Sequence, residues 1–182
     1  WEPAVWRRVK AGFQSKVAAA IQGAIRNPYS WIPRCKLKLT RWTQGDAQQV
    51  AAERFQRRML ALSSRVTPRV RAACFRAAWN GWCTHRRFQK RDQLGDCCKL
   101  GCNGNAADSL EHYAYCPVVH RVARARLRIT HPLNLRSFVL LEAPAGDMEA
   151  LVLHAILVYG TYRATNLYRN SPEPPDPDHA FD

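Results

Sequence analysis

The sequence predicts a mostly α fold, an irregular helical domain interrupted by a short insertion rich in cysteine and histidine. Three observations support this prediction. Apolar residues recur at three- and four-residue steps in several stretches, which is the spacing of one face of a helix. Capping residues and prolines stand where those stretches begin. Four of the seven cysteines crowd into residues 97–116 beside a histidine.

The N-terminal half predicts two helices separated by a loop. The first carries an apolar stripe from Val5 to Ile25 and ends at Asn27-Pro28, because the residue before a proline disfavours helical geometry. Residues 28–43 predict a loop that can include a short strand. A second helix, capped by Asp46, is expected to run to about Ser64. Its predicted inward residues are Ala47, Val50, Ala51, Phe55, Met59 and Leu62.

Proline and glycine delimit a third helix. It starts at Thr67-Pro68, a cap followed by proline at the first helical position, and Asn80-Gly81 ends it. Its predicted inner face consists of Val70, Cys74, Ala77 and Ala78. Residues 82–116 predict an irregular segment with one short helix near its end.

Three further helices follow. Pro117 opens the fourth, Leu135–Leu141 predicts a fifth, and Asp147 caps a last helix that extends to about Asn170. The last helix is apolar on nearly every side between Leu151 and Tyr159, which favours deep burial over a docking surface.

Composition and charge restrict the class of protein. The chain has 182 residues and is 47% hydrophobic, enough for one domain or two small ones. It has 28 Lys and Arg against 14 Asp and Glu, a net charge of +14. Such an excess predicts a polyanionic partner, nucleic acid first and an anionic membrane second. No apolar stretch is long enough for a membrane span.

The charge divides the chain into regions. Residues 1–95 form a basic helical region with a net charge of +16. Residues 96–130 hold the cysteine-rich insertion and a basic helix, and residues 131–170 form a C-terminal helical region. Residues 171–182 contain four prolines and predict an extended, Pro- and Asp-rich tail.

The clustered cysteines predict a metal site. Cys98, Cys102, His112 and Cys116 follow the spacing Cys-x3-Cys-x9-His-x3-Cys, and zinc takes four tetrahedral nitrogen or sulfur ligands. Gly101 permits the turn between the first two ligands. The fold class is therefore mostly α with a small Cys₃His zinc-knuckle insertion. Such sites are closed to water, so we expect a scaffold and not a catalytic centre.

Two details of the ligand set stay open. The adjacent Cys97 can replace Cys98 as the first ligand, and Cys83, His85 and His120 are reserve ligands. Asp108 or Ser109 can cap a short helix that places the last two ligands on one face. An odd, clustered set of cysteines also predicts an intracellular reducing compartment, either the nucleus or an organelle such as the mitochondrion.

The residues around this site carry a resemblance. The run WNGWCTHRRFQKRDQLGDCCKLGC, followed by DSLEHYAYCP, resembles the zinc-binding region C-terminal to the polymerase of non-LTR retroelement reverse transcriptases. The stretch FVLLEAPAGDMEALVLHAILVYGTYRATNLYRN is similar to the helical segment that closes such proteins in one branch. The resemblance covers roughly residues 70–170. It implies that the knuckle holds RNA or DNA, although family members often have four residues, not three, before the last cysteine.

The polymerase chemistry of that family has no counterpart here. It needs paired catalytic aspartates that hold two metal ions, and this sequence contains no Asp-Asp pair. We therefore expect the chain by itself not to be an enzyme.

Two groups of basic residues flank the predicted metal site. They are Arg86, Arg87, Lys90 and Arg91 before it, and Arg121, Arg124, Arg126 and Arg128 after it. Arginine binds phosphate through two hydrogen bonds and stacks on bases. The tryptophans that could stack on bases are Trp31, Trp42, Trp79 and Trp82, and the core is the expected place for each.

These observations predict a nucleic-acid-binding zinc module of retroelement origin. RNA is preferred over DNA, because irregular basic and aromatic surfaces suit single strands and loops. The alternative is a domesticated structural subunit of a large assembly, such as an organellar ribosome or another multi-subunit complex. In a ribosome the partner would still be RNA.

Overall fold

The computed structural model describes residues 35–43, 47–84, 97–102, 106–144 and 146–169. Several predicted features lie outside these residues. They are the first helix, the tail 171–182, Trp31, His85, and the first basic group of Arg86, Arg87, Lys90 and Arg91.

The described chain is mostly helical, as predicted. The helices are α1 (Ala47–Ala61), α2 (Pro68–Ala78), α3 (Leu110–Tyr115), α4 (Pro117–Ala125), α5 (Leu135–Val139) and α6 (Met148–Arg169). A 3-10 turn, Leu62–Ser64, extends α1. Within the described ranges there is no strand, and a single bridge pairs Cys97 with Ala107.

The prediction of a loop with a possible short strand over residues 28–43 is wrong for residues 35–39, whereas residues 40–43 form a turn and irregular chain, as a loop should. Residues 35–39 are helical. Cys35 and Leu39, one helical turn apart, are both fully buried. Two apolar residues four positions apart lie on one face of a helix. Burial of that face decides for a helix, although the alternation of lysine and leucine between them favours a strand.

The starts of α2, α4 and α6 follow the prediction, except that the Thr67 side chain before α2 makes no cap hydrogen bond, and the predicted cap Asp46 lies outside the described residues. Pro68 and Pro117 occupy the first turns of α2 and α4, where a missing N–H costs nothing. The Asp147 carboxylate accepts a 2.8 Å hydrogen bond from the Ala150 N–H at the start of α6. Asn134 and Ser137 form a reciprocal capping box on α5, which the sequence analysis did not identify.

The core forms where α2 packs against the long helix α6. Trp82, which follows α2, lies at its centre with 1% of its surface exposed. Its ring lies 6.1 Å from Tyr113, 6.0 Å from Phe138 and 5.3 Å from Tyr162 between centroids. One indole therefore joins α3, α5 and α6, and Trp82 is a core residue, as expected.

On two helices, one side chain that was predicted to be buried is exposed. Val50, predicted to point inward on α1, is 46% exposed, whereas Phe55, Met59 and Leu62 are buried. On α6, Ile156 is 38% exposed, so the helix is buried on one side and not all round. Trp42 is buried as expected, but Trp79 is 39% exposed. Among the described residues, no helix combines the length and the apolar character that crossing a membrane requires.

Candidate metal centre

Three thiols and one imidazole converge in the structure as the sequence predicted. The ligand atoms of Cys98, Cys102, His112 and Cys116 all lie within 4.8 Å of one another. The sulfurs of Cys98 and Cys116 are 3.8 Å apart, and the Cys102 sulfur is 3.3 Å from His112 Nε2. A zinc tetrahedron has S–S edges of about 3.8 Å and S–N edges of about 3.5 Å. The cluster therefore has the donor types and the size of a zinc site.

A short loop positions the first two ligands. The Cys98 N–H donates to the Ala106 carbonyl at 3.0 Å, and the Gly101 N–H donates to the Cys98 carbonyl at 3.2 Å. Gly101 adopts a φ of +67°, a left-handed conformation that glycine tolerates best. Leu100, fully buried, anchors the loop in the core. The chain thus turns back sharply enough for Cys98 and Cys102 to face the same point.

Helix α3 positions the other two ligands. The Ser109 hydroxyl accepts a 3.1 Å hydrogen bond from the His112 N–H, so Ser109 and not Asp108 caps this helix. The prediction that both ligands lie on one helix needs a correction, because Cys116 is the residue after α3 and has extended geometry. Pro117 begins α4 directly behind it.

The structure identifies the first ligand as Cys98. Cys98 is buried and belongs to the cluster, whereas Cys97 is exposed and does not. Cys83 is exposed, and neither it nor His120 joins the cluster in the part of the chain that the structure describes.

The two buried thiols influence each other. Hydrogen bonding from Cys98, with a further contribution from His112, lowers the pKa of the Cys116 thiol and outweighs the opposing effect of burial. The same bond, together with burial, raises the pKa of Cys98. Zinc needs all three thiolates, so binding releases protons and must overcome the raised pKa of Cys98.

A buried ionic contact joins the segment that carries the cluster to helix α6. The Asp108 carboxylate, fully buried, accepts hydrogen bonds from Arg169 at 2.9 and 3.2 Å and from the Tyr113 hydroxyl. Arg169 is the last residue of α6, so the contact joins the end of the chain's longest described helix to the metal loop. The two partners lie 61 residues apart, so no local pattern in the sequence indicates this contact.

The second basic group follows the cluster directly. Arg121, Arg124, Arg126 and Arg128 are all exposed. Their three- and four-residue spacing predicts that Arg121, Arg124 and Arg128 share one helix face, but Arg128 lies outside the helix, because α4 ends at Ala125. No acidic residue occurs between residues 117 and 136, so this stretch of the chain carries only positive formal charges.

A comparison of this chain with protein-family models, with curated proteins and with solved structures found no match.

Proposed function

We propose that this chain is a zinc-dependent nucleic-acid-binding module that prefers RNA and performs no chemistry by itself. The observation that carries the proposal is the position of Cys116. It belongs to the Cys₃His cluster and it is also the residue from which the arginine-rich helix α4 starts. A metal held there fixes the start of the basic helix relative to the rest of the fold.

The donor set supports zinc as the metal. Soft thiolates with one imidazole in a tetrahedral arrangement are typical of structural zinc sites. Because the protein supplies all four ligands, no position remains for a reacting water molecule. A structural role follows, and thiolate ligation is best preserved in a reducing compartment, where we propose that the chain acts.

The charge of the surface supports nucleic acid as the partner. Arginine forms paired hydrogen bonds with phosphate, and Arg124 and Arg128 have no ion-pair partner among the described residues. The resemblance to the zinc-binding region of non-LTR reverse transcriptases points the same way. We propose that the module derives from such a protein and retains its nucleic-acid contact without its polymerase.

The salt dependence of RNA binding tests this function. Each neutralised phosphate releases counterions, so three contacts with a single strand predict about a twentyfold loss of affinity between roughly 50 and 200 mM salt. We expect this loss for a single-stranded RNA oligomer, and weaker binding for DNA of the same sequence. An RNA affinity that changes less than about twofold over that range contradicts the proposal.

A further inference from the structure

A small cavity lies between the second half of α4 and the segment that follows it. Its volume is about 120 Å³. The polar residues that line it are Arg124, His120 and His131, and the apolar ones include Ala123 and Ile129. We propose that this cavity binds a single phosphate group of the nucleic-acid strand. The proposal rests on the proposed function and adds the position at which the strand is held.

A turn after α4 builds the cavity. The Arg126 N–H donates to the Val122 carbonyl at 2.9 Å, and the Ile129 N–H donates to the Ala123 carbonyl at 2.9 Å. Arg128 lies between them with a φ of +53°, in the left-handed region. The chain therefore reverses, buries Ile129 against the helix, and brings His131 to the same cavity as Arg124.

The charges around the cavity favour an anion. Arg124 is exposed and has no hydrogen-bond or ion-pair partner that the structure records in the described ranges. Among the described residues, no carboxylate lines this cavity, whereas a neighbouring cavity lined by Arg126 and Arg128 is also lined by Asp147 and Glu149. The acid-free cavity is therefore the better phosphate site of the two.

A pair of histidines provides a hydrogen-bond donor. The Nε2 atoms of His131 and His154 are 2.5 Å apart, so one of them must donate to the other. His154 is 1% exposed, and its Nδ1 has no hydrogen-bond partner in the part of the chain that the structure describes. Because unpaired buried N–H groups are rarer than unpaired acceptors, we assign the His154 proton to Nε2. His131 then accepts at Nε2, and its Nδ1–H can donate to a phosphate oxygen.

His120 adds a second imidazole. Its Nε2 lies 2.8 Å from the Ala114 carbonyl oxygen, so Nε2 carries the proton and donates. The His120 ring therefore shapes the cavity wall, and the donors that can reach one tetrahedral anion are the Arg124 guanidinium and the His131 imidazole.

Histidine NMR signals of the zinc-loaded full chain test the site with inorganic phosphate as the probe. We expect the ring signals of His120 and His131 to shift on titration in the wild type, and the shifts to be lost in Arg124→Gln. Arg163→Gln, which removes an exposed arginine from α6, is the matched control and should keep them. Missing shifts in the wild type, or equal shifts in Arg124→Gln, overturn the proposal.

RNA binding identifies the source of the phosphate. A single-stranded RNA with a 5′-hydroxyl end should move the same two signals, and Arg124→Gln should weaken its affinity about tenfold while Arg163→Gln does not. If only a 5′-phosphorylated oligomer moves them, the site holds a terminal phosphate.

If RNA binds with steep salt dependence but never moves these signals, the cavity proposal fails while the proposed function stands. If phosphate moves them and no RNA binds, the cavity stands and the proposed function fails.

Discussion

The exposed Cys97 provides a control for the three cysteines of the cluster. Cys102 points to the same centre as His112, whereas the exposed Cys97 lies one residue from a ligand without being one. Cys102→Ser should abolish zinc binding and unfold the segment 97–116, because metal binding supplies the folding free energy of such a loop. Elemental analysis and amide NMR spectra measure both effects. Cys97→Ser should retain one zinc per chain, and one zinc retained by Cys102→Ser would show that the ligand set is wrong.

Arg128 combines backbone strain with a charge on the proposed nucleic-acid surface. A side chain in the left-handed region costs about 1 kcal/mol, which glycine does not incur. Arg128→Gly should therefore leave the free energy of unfolding unchanged or raise it by up to about 1 kcal/mol, and Arg128→Ala should not raise it. Both variants should bind RNA more weakly by the same factor. Denaturant unfolding and RNA titration measure the two effects, and unaltered RNA affinity would exclude a contact by this guanidinium.

His154 links stability to pH. Burial and, after it, the neighbouring His131 lower the pKa of His154 to about 4, against a usual value of about 6.5. Below pH 6.5 His154 is protonated in the unfolded chain but stays neutral in the folded chain until the pH approaches 4. The free energy of unfolding therefore falls as the pH falls, and it levels off below pH 4. The loss between about pH 7 and about pH 5 should be about 2 kcal/mol.

The variant His154→Leu isolates that contribution. Both chains share the titration of the metal ligands, so the difference between their unfolding curves cancels it. The variant should lose about 2 kcal/mol less than the wild type between about pH 7 and about pH 5. Parallel losses in the two proteins would show that His154 does not titrate differently on folding.

At the scale of elements, the contact between Arg169 and Asp108 holds the metal loop against α6. Asp108 is fully buried, so removing Arg169 leaves a buried carboxylate without its cationic partner. Arg169→Ala should lower the free energy of unfolding by about 3–5 kcal/mol in urea denaturation. The control Arg136→Ala removes an exposed ion pair with Glu142 and should cost less than about 1 kcal/mol. A similar small cost for Arg169→Ala would mean that Asp108 is protonated or solvated in the folded chain.

The elements differ in how far the sequence determines them. Prolines 68 and 117 and the Asp147 cap made the starts of α2, α4 and α6 predictable, because their chemistry is local. The helix at residues 35–39 was missed because its burial against distant parts of the chain decides its conformation. The end of α4 was missed for a related reason, since the turn at Arg128 depends on the packing of Ile129.

The four residues of the metal cluster were predictable from the sequence, but the contacts that hold the cluster in the fold were not. Ligand spacing and the glycine turn are properties of the 20 residues from 97 to 116, so the sequence alone indicated all four ligands. To decide that Cys98 and not Cys97 is the first ligand, one needs to know which of the two side chains is buried, and only the structure gives this. Likewise, the contacts of Asp108 with Arg169 and of His131 with His154 join residues far apart in the chain.

At the scale of the whole molecule, the account joins a metal cluster to a cationic surface. The net charge of +14 belongs to the chain as a whole, but the acid-free stretch 117–136 begins where the cluster ends. A metal that orders Cys116 also orders the start of α4. Metal binding and nucleic-acid binding should therefore be coupled, and each should strengthen the other.

RNA affinity before and after metal removal tests this coupling most directly. Zinc is removed from the full chain with a chelator under reducing conditions, and binding to one single-stranded RNA oligomer is measured at constant salt. We expect the affinity to fall by about tenfold or more without metal, and one equivalent of zinc to restore it. Equal RNA affinity with and without zinc would show that the metal does not position the nucleic-acid surface.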